Sequence, residues 1–188
     1  MNEMKNLDYK IMLELVKNSK ISDRELAQRI GVSQPTVTRR RTKLEKGGLL
    51  DYTAVPNFKK LGFEIMVISF SKWTREAFAE QVSEGEVARR IQKFLADHPN
   101  VIFGSTWGEG LGMNTVSISI HRDYSEYDSW LKDVEQEWGL YMTDFSRFIV
   151  SLKGDNIVRQ ITFKPCMEYI VEALTRNSSS SSEANHVG

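Results

Sequence analysis

The sequence predicts an α+β protein in two modules, a small head of helices and then a body in which strands and helices follow the order βαββαβ. Three observations carry this. Apolar residues recur at helical spacing in short, well-bounded segments before Gly47, as amphipathic helices require. From Ile65 onward, strand-length apolar runs are separated by two longer helical stripes. The charge divides at the same place: residues 1–60 hold 13 Lys or Arg against 7 Asp or Glu, and the remainder 12 against 18, although the 188-residue chain balances at zero. A basic head on an acidic body suggests a polyanionic partner for the head.

With 40% apolar and 27% charged residues the composition is that of an ordinary globular protein, which excludes fibrous and disordered classes for the body of the chain. No apolar run approaches the ~20 residues that span a bilayer, and Met1 to Lys10 is mixed and charged with no apolar leader core. A cytoplasmic protein without membrane contact is therefore expected. Cys166 is the single cysteine, so neither an intrachain disulfide nor a thiolate metal cluster is available. No metal or cofactor is expected.

In the head, Leu7, Ile11, Leu15 and Val16 mark the first helix. The second opens at Ser22 with Glu25 three residues later, a capping box in which each side chain can satisfy the other's backbone N–H. Leu26, Ala27 and Ile30 give it an inner face, and Gly31 stops it. Ser33 then caps a third helix with Pro35 in its first turn, where the missing N–H costs nothing. Helix, short turn, helix is the helix-turn-helix unit, whose second helix is presented to the major groove. A plain three-helix core would show the same order, so the composition of the third helix decides.

At about 100° per residue, Val37 and Leu44 fall on one side of that helix, and Pro35, Thr36, Arg39, Lys43 and Lys46 on the other. Small polar groups at the leading end with cations behind them suit an inserted helix, the former approaching base edges and the latter phosphates. Gln34 and Arg39 are the candidates for base readout, since Gln can bond adenine and Arg guanine bidentately. Arg40 and Lys43 are expected at phosphates. Arg41 lies beside the inward stripe, so a DNA contact and an ion pair at the edge of the core both remain open for it. Ser22, Ser33, Pro35, Thr36 and Thr38 complete the expected DNA-facing set. After Gly47 and Gly48, Leu49 to Val55 is rich in β-formers, broken at Pro56 and Asn57 and followed by Ile65 to Phe70. A small wing is expected from these two segments.

In the body, Ile65 to Phe70 also opens the strand series, followed by a helix marked by Val87, Ile91, Phe94 and Leu95 that ends near Pro99. Val101 to Trp107 and Thr115 to His121 are strands joined by the glycine-rich loop Gly108 to Gly112, the second alternating at Val116, Ile118 and Ile120. Tyr127, Trp130, Leu131, Val134 and Trp138 mark a second helix, and Phe148, Val150 and Leu152 a last strand. The expected fold is thus a winged helix-turn-helix, residues 1–60, joined to a ferredoxin-like βαββαβ sandwich, residues 61–176, with both helices on one face of an antiparallel sheet. The other face would be a large apolar patch, so a homodimer through the sheets is expected. Thr74 to Gly85 has weak helical character, Ile157 to Phe163 could add a strand and Met167 to Leu174 a helix. The serine-rich residues 177–188 read as a flexible tail.

The stretch "RIGVSQPTVTRR…KLEKGGLLDYTAV", within a similarity that covers about residues 7–152, resembles the Lrp/AsnC family of prokaryotic regulators. The resemblance implies a DNA-binding transcription regulator, a dimer of ferredoxin-like domains carrying two heads, higher assemblies of dimers, and control by amino acids or related small molecules. It also implies an effector site at the loop Trp107, Gly108, Glu109, Gly110. Two departures stand out. Arg41 occupies a position that is usually aliphatic in the family, and the loop has Leu111 where the family pattern has aspartate. An ordinary amino acid is therefore a doubtful ligand, and two readings of the loop stand side by side, a site for another ligand and a flexible turn.

Two rival functions compete with DNA binding. Some proteins similar to this family are haem-precursor (siroheme) decarboxylases, but an enzyme needs acid, base or cation groups positioned in a pocket. His98, His121 and His186 show no spacing to a carboxylate or nucleophile, and no catalytic residue is assigned. An adaptor using Trp73, Trp107, Trp130 and Trp138 as interaction anchors is the other, although Trp130 and Trp138 sit on a helical stripe as core residues do. Cations on the outward face of the third helix favour DNA over both.

Overall fold

A computed structural model of the chain describes residues 6–77, 85–105, 108–155, 157, 161–167 and 169. Two compact units are present among them, one built on residues up to Val55 together with those after Arg159, the other on Pro56–Arg159.

The first unit contains α1 (Asn6–Lys17), α2 (Asp23–Ile30) and α3 (Gln34–Lys46). Ile11, Leu15, Ile21, Leu26, Ala27, Val37 and Leu44 form one buried cluster from all three helices, each large side chain contributing roughly 1.5–3 kcal/mol by leaving water. The caps fall where the sequence placed them. Ser22 Oγ accepts the Glu25 N–H at 3.2 Å, but only half of the capping box forms, because the Glu25 carboxylate turns to Arg29 at 2.7 Å. Gly31 ends α2 with φ 78, a left-handed conformation that glycine adopts without strain.

The two segments expected to build the wing do not pair with each other. Residues 50–57 lie in no strand, and Leu49, Tyr52 and Val55 are exposed. The reason lies in Ile65, which does not return to the head. Its run forms β1 (Ile65–Trp73), hydrogen-bonded on both sides within the second unit, so it does not pair with Leu49 to Val55.

The second unit continues with α4 (Glu86–Asp97), β2 (Val101–Ser105), β3 (Thr115–His121), α5 (Tyr124–Trp138) and β4 (Met142–Ser151). The order is the expected βαββαβ, and the four antiparallel strands lie in the sequence β2-β3-β1-β4. Both helices pack on one face: Ile65, Val67 and Trp73 of β1 share a buried cluster with Val87 of α4 and with Tyr127, Trp130, Val134 and Trp138 of α5. Arg90 ties the two helices, donating to Glu137 Oε1 at 2.8 Å and to the Tyr141 hydroxyl at 2.8 Å.

The polarity of β3 is unexpected. Ile65 pairs with His121, Val67 with Ser119, Ser69 with Ser117 and Ser71 with Thr115, and directly paired residues share a face. The helix side of β3 is therefore hydroxyl-rich, and the apolar set Val116, Ile118 and Ile120 faces away together with Met66, Ile68, Phe70, Phe148 and Val150. On that outer face Phe148 is 64% exposed, and Phe103 of β2 is 51% exposed.

Of the weaker expectations, Arg75–Ala77 is helical, and residues 78–84 lie outside the described residues. Within 157–163 the described residues Ile157, Ile161, Thr162 and Phe163 are in no strand. Cys166, Met167 and Tyr169 are helical, while 170–188, with the rest of the last helix and the serine-rich tail, are not described.

Candidate nucleic-acid interface

The exposed face of α3 is built by its packing. Val37 and Leu44 are buried, and this turns Gln34, Pro35, Thr38, Arg39, Thr42, Lys43 and Lys46 to the exterior. Gln34, Arg39, Lys43 and Lys46 make no ion pair or side-chain hydrogen bond with another described residue, so their polar ends remain available. Ser33 starts the helix in extended conformation, as expected of a cap, but its hydroxyl meets the Thr36 hydroxyl at 2.8 Å and bonds no backbone N–H. Ser22 stands exposed at the start of α2.

Three predicted contacts are engaged within the head. Thr38 Oγ1 donates to Asp23 Oδ2 at 2.7 Å. Arg41 Nη1 reaches Asp23 Oδ1 at 3.1 Å and the Ile21 carbonyl at 3.4 Å, while its Nε meets Glu45 at 3.0 Å and the Tyr52 hydroxyl at 3.1 Å. Burial works against the charge on Arg41, but the bonds to Glu45, Asp23 and Tyr52 outweigh it and hold the guanidinium more firmly protonated than usual. Of the two readings open for Arg41, the structure supports the ion pair: it is a strut between α2, α3 and the segment after them.

Arg40 is a correction. Instead of pointing out toward a phosphate, it turns inward, and its Nη1 lies 3.3 Å from both carboxylate oxygens of Asp8 on α1. Asp8 is only 4% exposed. Arg40 stands three residues after Val37 and four before Leu44, which places it on the packed stripe. Sequence reasoning missed Asp8, Asp23 and Tyr52 as the groups that seat α3. Asp8 carried a signal, a lone carboxylate on the apolar side of its helix one turn before Ile11.

The matched patterns fit this geometry. Residues 4–51 match the winged helix-turn-helix DNA-binding family. An uncharacterised HTH-type transcriptional regulator of Pyrococcus furiosus is 31% identical over 156 residues, which cover 81% of this chain and 96% of that protein. The chain belongs to the Lrp/AsnC family of transcription regulators. LrpC of Bacillus subtilis is 30% identical over 102 residues, covering 54% of this chain and 64% of the relative. Among solved structures, AsnC of Escherichia coli has a TM-score of 0.63 at 18% identity, covering 85% of this chain and 98% of that one. A Neisseria meningitidis regulator solved with L-Met has a TM-score of 0.66 at 15% identity, covering 85% and 96%. At these identities the structural likeness is one of fold.

In this Lrp/AsnC chain residues 108–114, between β2 and β3, form a tight turn. Gly108 N donates to the Asn114 carbonyl at 2.8 Å, and Met113 N to Gly110 O at 2.8 Å. Leu111, 81% exposed, takes φ 53 at the tip, and Glu109 is exposed. Trp107, also expected here, lies outside the described residues.

The histidines are differently placed from expectation. His98 does meet a carboxylate, Asp133 at 3.3 Å, in an outer cleft between α4 and α5 that also holds Arg90, Lys93 and Glu137. His121 is fully buried and bonds Ser119 Oγ at 2.9 Å, and desolvation lowers its pKa below the usual imidazole range. Among the described residues no three His, Cys, Asp or Glu side chains form a metal-binding group, and no helix is long and apolar enough to cross a membrane.

Proposed function

We propose that this regulator presents the α3 stripe of Gln34, Arg39 and Lys43 to the major groove of its target DNA, with Gln34 and Arg39 at base edges and Lys43 and Lys46 at phosphates. The observation that carries this is the division of labour among the cations of α3. Arg40 and Arg41 are tied to Asp8 and Asp23 inside the head, whereas Arg39, Lys43 and Lys46 stand exposed. Cations already neutralised by carboxylates release few counterions from DNA, and unpaired ones release many.

The heads, residues 1–60, would work in pairs. The apolar outer face of the sheet in residues 61–176 supports a homodimer, because an uncovered patch of this kind is costly in water, and dimers of dimers would follow in the family manner. Two third helices would then enter successive major grooves about one helical turn apart. The turn at Gly108, Glu109 and Gly110, which Trp107 precedes in the sequence, is the proposed effector-responsive element. The L-Met bound by the Neisseria regulator makes a small-molecule effector reasonable, while Leu111 in place of the family's aspartate argues for one other than a plain amino acid. A cytoplasmic location follows from this role.

The deciding experiment is a titration on the chain's own upstream DNA at several salt concentrations, with wild type and an Arg39→Ala, Lys43→Ala variant. The variant should bind more weakly, and its salt slope should fall by about 0.9 for each phosphate it no longer neutralises. Equal affinity and slope for both proteins would remove this face from the interface.

A further inference from the structure

After the last turn of α3, one side chain fastens the connecting segment to the head. The Tyr52 hydroxyl accepts the Arg41 Nε–H at 3.1 Å, and the Arg41 guanidinium carbon lies 5.1 Å from the centre of the Tyr52 ring. Arg41 is held in turn by Glu45 Oε1 at 3.0 Å and Asp23 Oδ1 at 3.1 Å. We propose that Tyr52 is a specificity-determining residue that reads no base: by fixing the length of free tether leaving each head, it sets how far apart the two half-sites of the target DNA lie. This rests on the paired-head reading above and goes beyond it.

The anchor depends on what stands at position 41. A charged donor makes the stronger kind of hydrogen bond, and a guanidinium over an aromatic ring adds a cation–π attraction. An aliphatic side chain, the usual one at this position in similar proteins, would supply neither. Arg41 is itself tied to α2 and α3, so Tyr52 is fastened to the part of the head that carries the recognition face.

The length of the tether follows from its two ends. Leu50 packs against the buried cluster of the head, and the second unit begins at Pro56. With Tyr52 seated, Thr53, Ala54 and Val55 lie between that anchor and the second unit, all exposed and in no helix or strand. Val55 precedes a proline, which confines it to extended conformations, so the tether is stiff as well as short. Released at Tyr52, the free stretch becomes residues 51–55 and gains Asp51 and Tyr52. At about 3.3–3.6 Å per residue, these two add roughly 7 Å of reach to each head, the axial rise of about two base pairs.

The full chain is first used to select paired half-sites from random duplexes. Affinity is then measured on the selected duplex, on the same duplex with one or two base pairs inserted between the half-sites, and on a single half-site. Wild type should lose about tenfold on two inserted base pairs, because each insertion also turns one half-site by about 35° around the axis. Tyr52→Ala should lose no more than about threefold, its longer tether following the displaced site. Tyr52→Phe, which keeps the ring over Arg41 and drops the hydroxyl, should fall between them. Tyr52 is 38% exposed and stands outside the buried cluster, so its replacement leaves the head folded, and all three proteins should bind the single half-site equally and with one salt slope. Without DNA, amide order parameters over residues 51–55 should drop from about 0.85 to below about 0.6 in Tyr52→Ala.

A spacing-sensitive wild type with an equally sensitive Tyr52→Ala would overturn this proposal alone. So would unchanged order parameters, or weaker binding of Tyr52→Ala to the single half-site, which would make Tyr52 a DNA contact or a seat for α3. A wild type indifferent to spacing would overturn the paired-head reading and this proposal with it.

Discussion

Replacing Asp8 by alanine should destabilise the head more than any single change on its outer surface. In the folded chain Asp8 is 4% exposed and lies 3.3 Å from Arg40 Nη1 through both carboxylate oxygens. At that separation and an effective dielectric constant near 20, the attraction is about 5 kcal/mol before desolvation is subtracted. Truncating one partner of a buried pair costs about 3–5 kcal/mol, because the remaining charge stays buried. Arg40 keeps 18% of its side-chain exposure, so its charge retains some water, and about 2–4 kcal/mol is the expected loss. For so small a unit this corresponds to a fall in Tm on the order of 10 °C or more. Urea and thermal unfolding of Asp8→Ala, Arg40→Met and the double variant would measure it, the double variant losing less than the sum of the singles. The reasoning predicts that Arg40→Met loses stability while the salt slope of DNA binding is unchanged. A stable Arg40→Met protein whose salt slope falls by about 0.9 would refute the inward placement and return Arg40 to the phosphates.

Two further outcomes are expected. Gly31→Ala should cost about 1 kcal/mol in denaturant unfolding, since φ 78 is strained for alanine although nothing lies within 4 Å of its Cβ; an unchanged midpoint would show that the turn relaxes. His121 has a lowered pKa in the folded chain, so the unfolded chain takes up its proton first as pH falls. The contribution of the neutral, buried imidazole is therefore complete above pH 6.5, the unperturbed value, and is lost as pH drops below it toward the folded pKa. A His121→Gln variant should show a flatter stability profile between about pH 7 and 5, and a profile as steep as wild type would assign the titration elsewhere.

The elements were legible wherever a local rule governed them. Ser22, Gly31, Ser33 and Pro35 fixed the ends of α2 and α3, and the two aromatic stripes fixed α4 and α5, because caps and periodicity act within a few residues. What escaped required partners distant in sequence. Leu49 to Val55 has β-forming composition, but a strand exists only if another strand pairs with it, and β1 is committed to β3 and β4. Arg40 read as outward because charge outweighed position, although its spacing to Val37 and Leu44 marked the inner stripe and Asp8 on another helix stood ready to receive it. The same spacing kept Arg41 open between two roles, and only Asp23 and Tyr52, brought up by folding, decided between them. The alternation in β3 revealed a strand without revealing which side the helices cover.

That reversal of β3 bears on how the chain avoids folding wrongly. A slip of one residue would carry Ile118 and Ile120 beneath the tryptophans and push the serines outward, an arrangement that simple hydrophobic matching would reward. Opposing it are polar contacts that a shifted strand cannot make: the paired hydroxyls of Ser71 and Thr115 and the Asn114 side chain accepting from Trp73 N. These act as address labels that make one alignment unique rather than merely stable. Replacing the inner serines by valine to enlarge the core should therefore raise the risk of kinetic traps during folding, so these positions are ones that an engineer of this domain should leave alone.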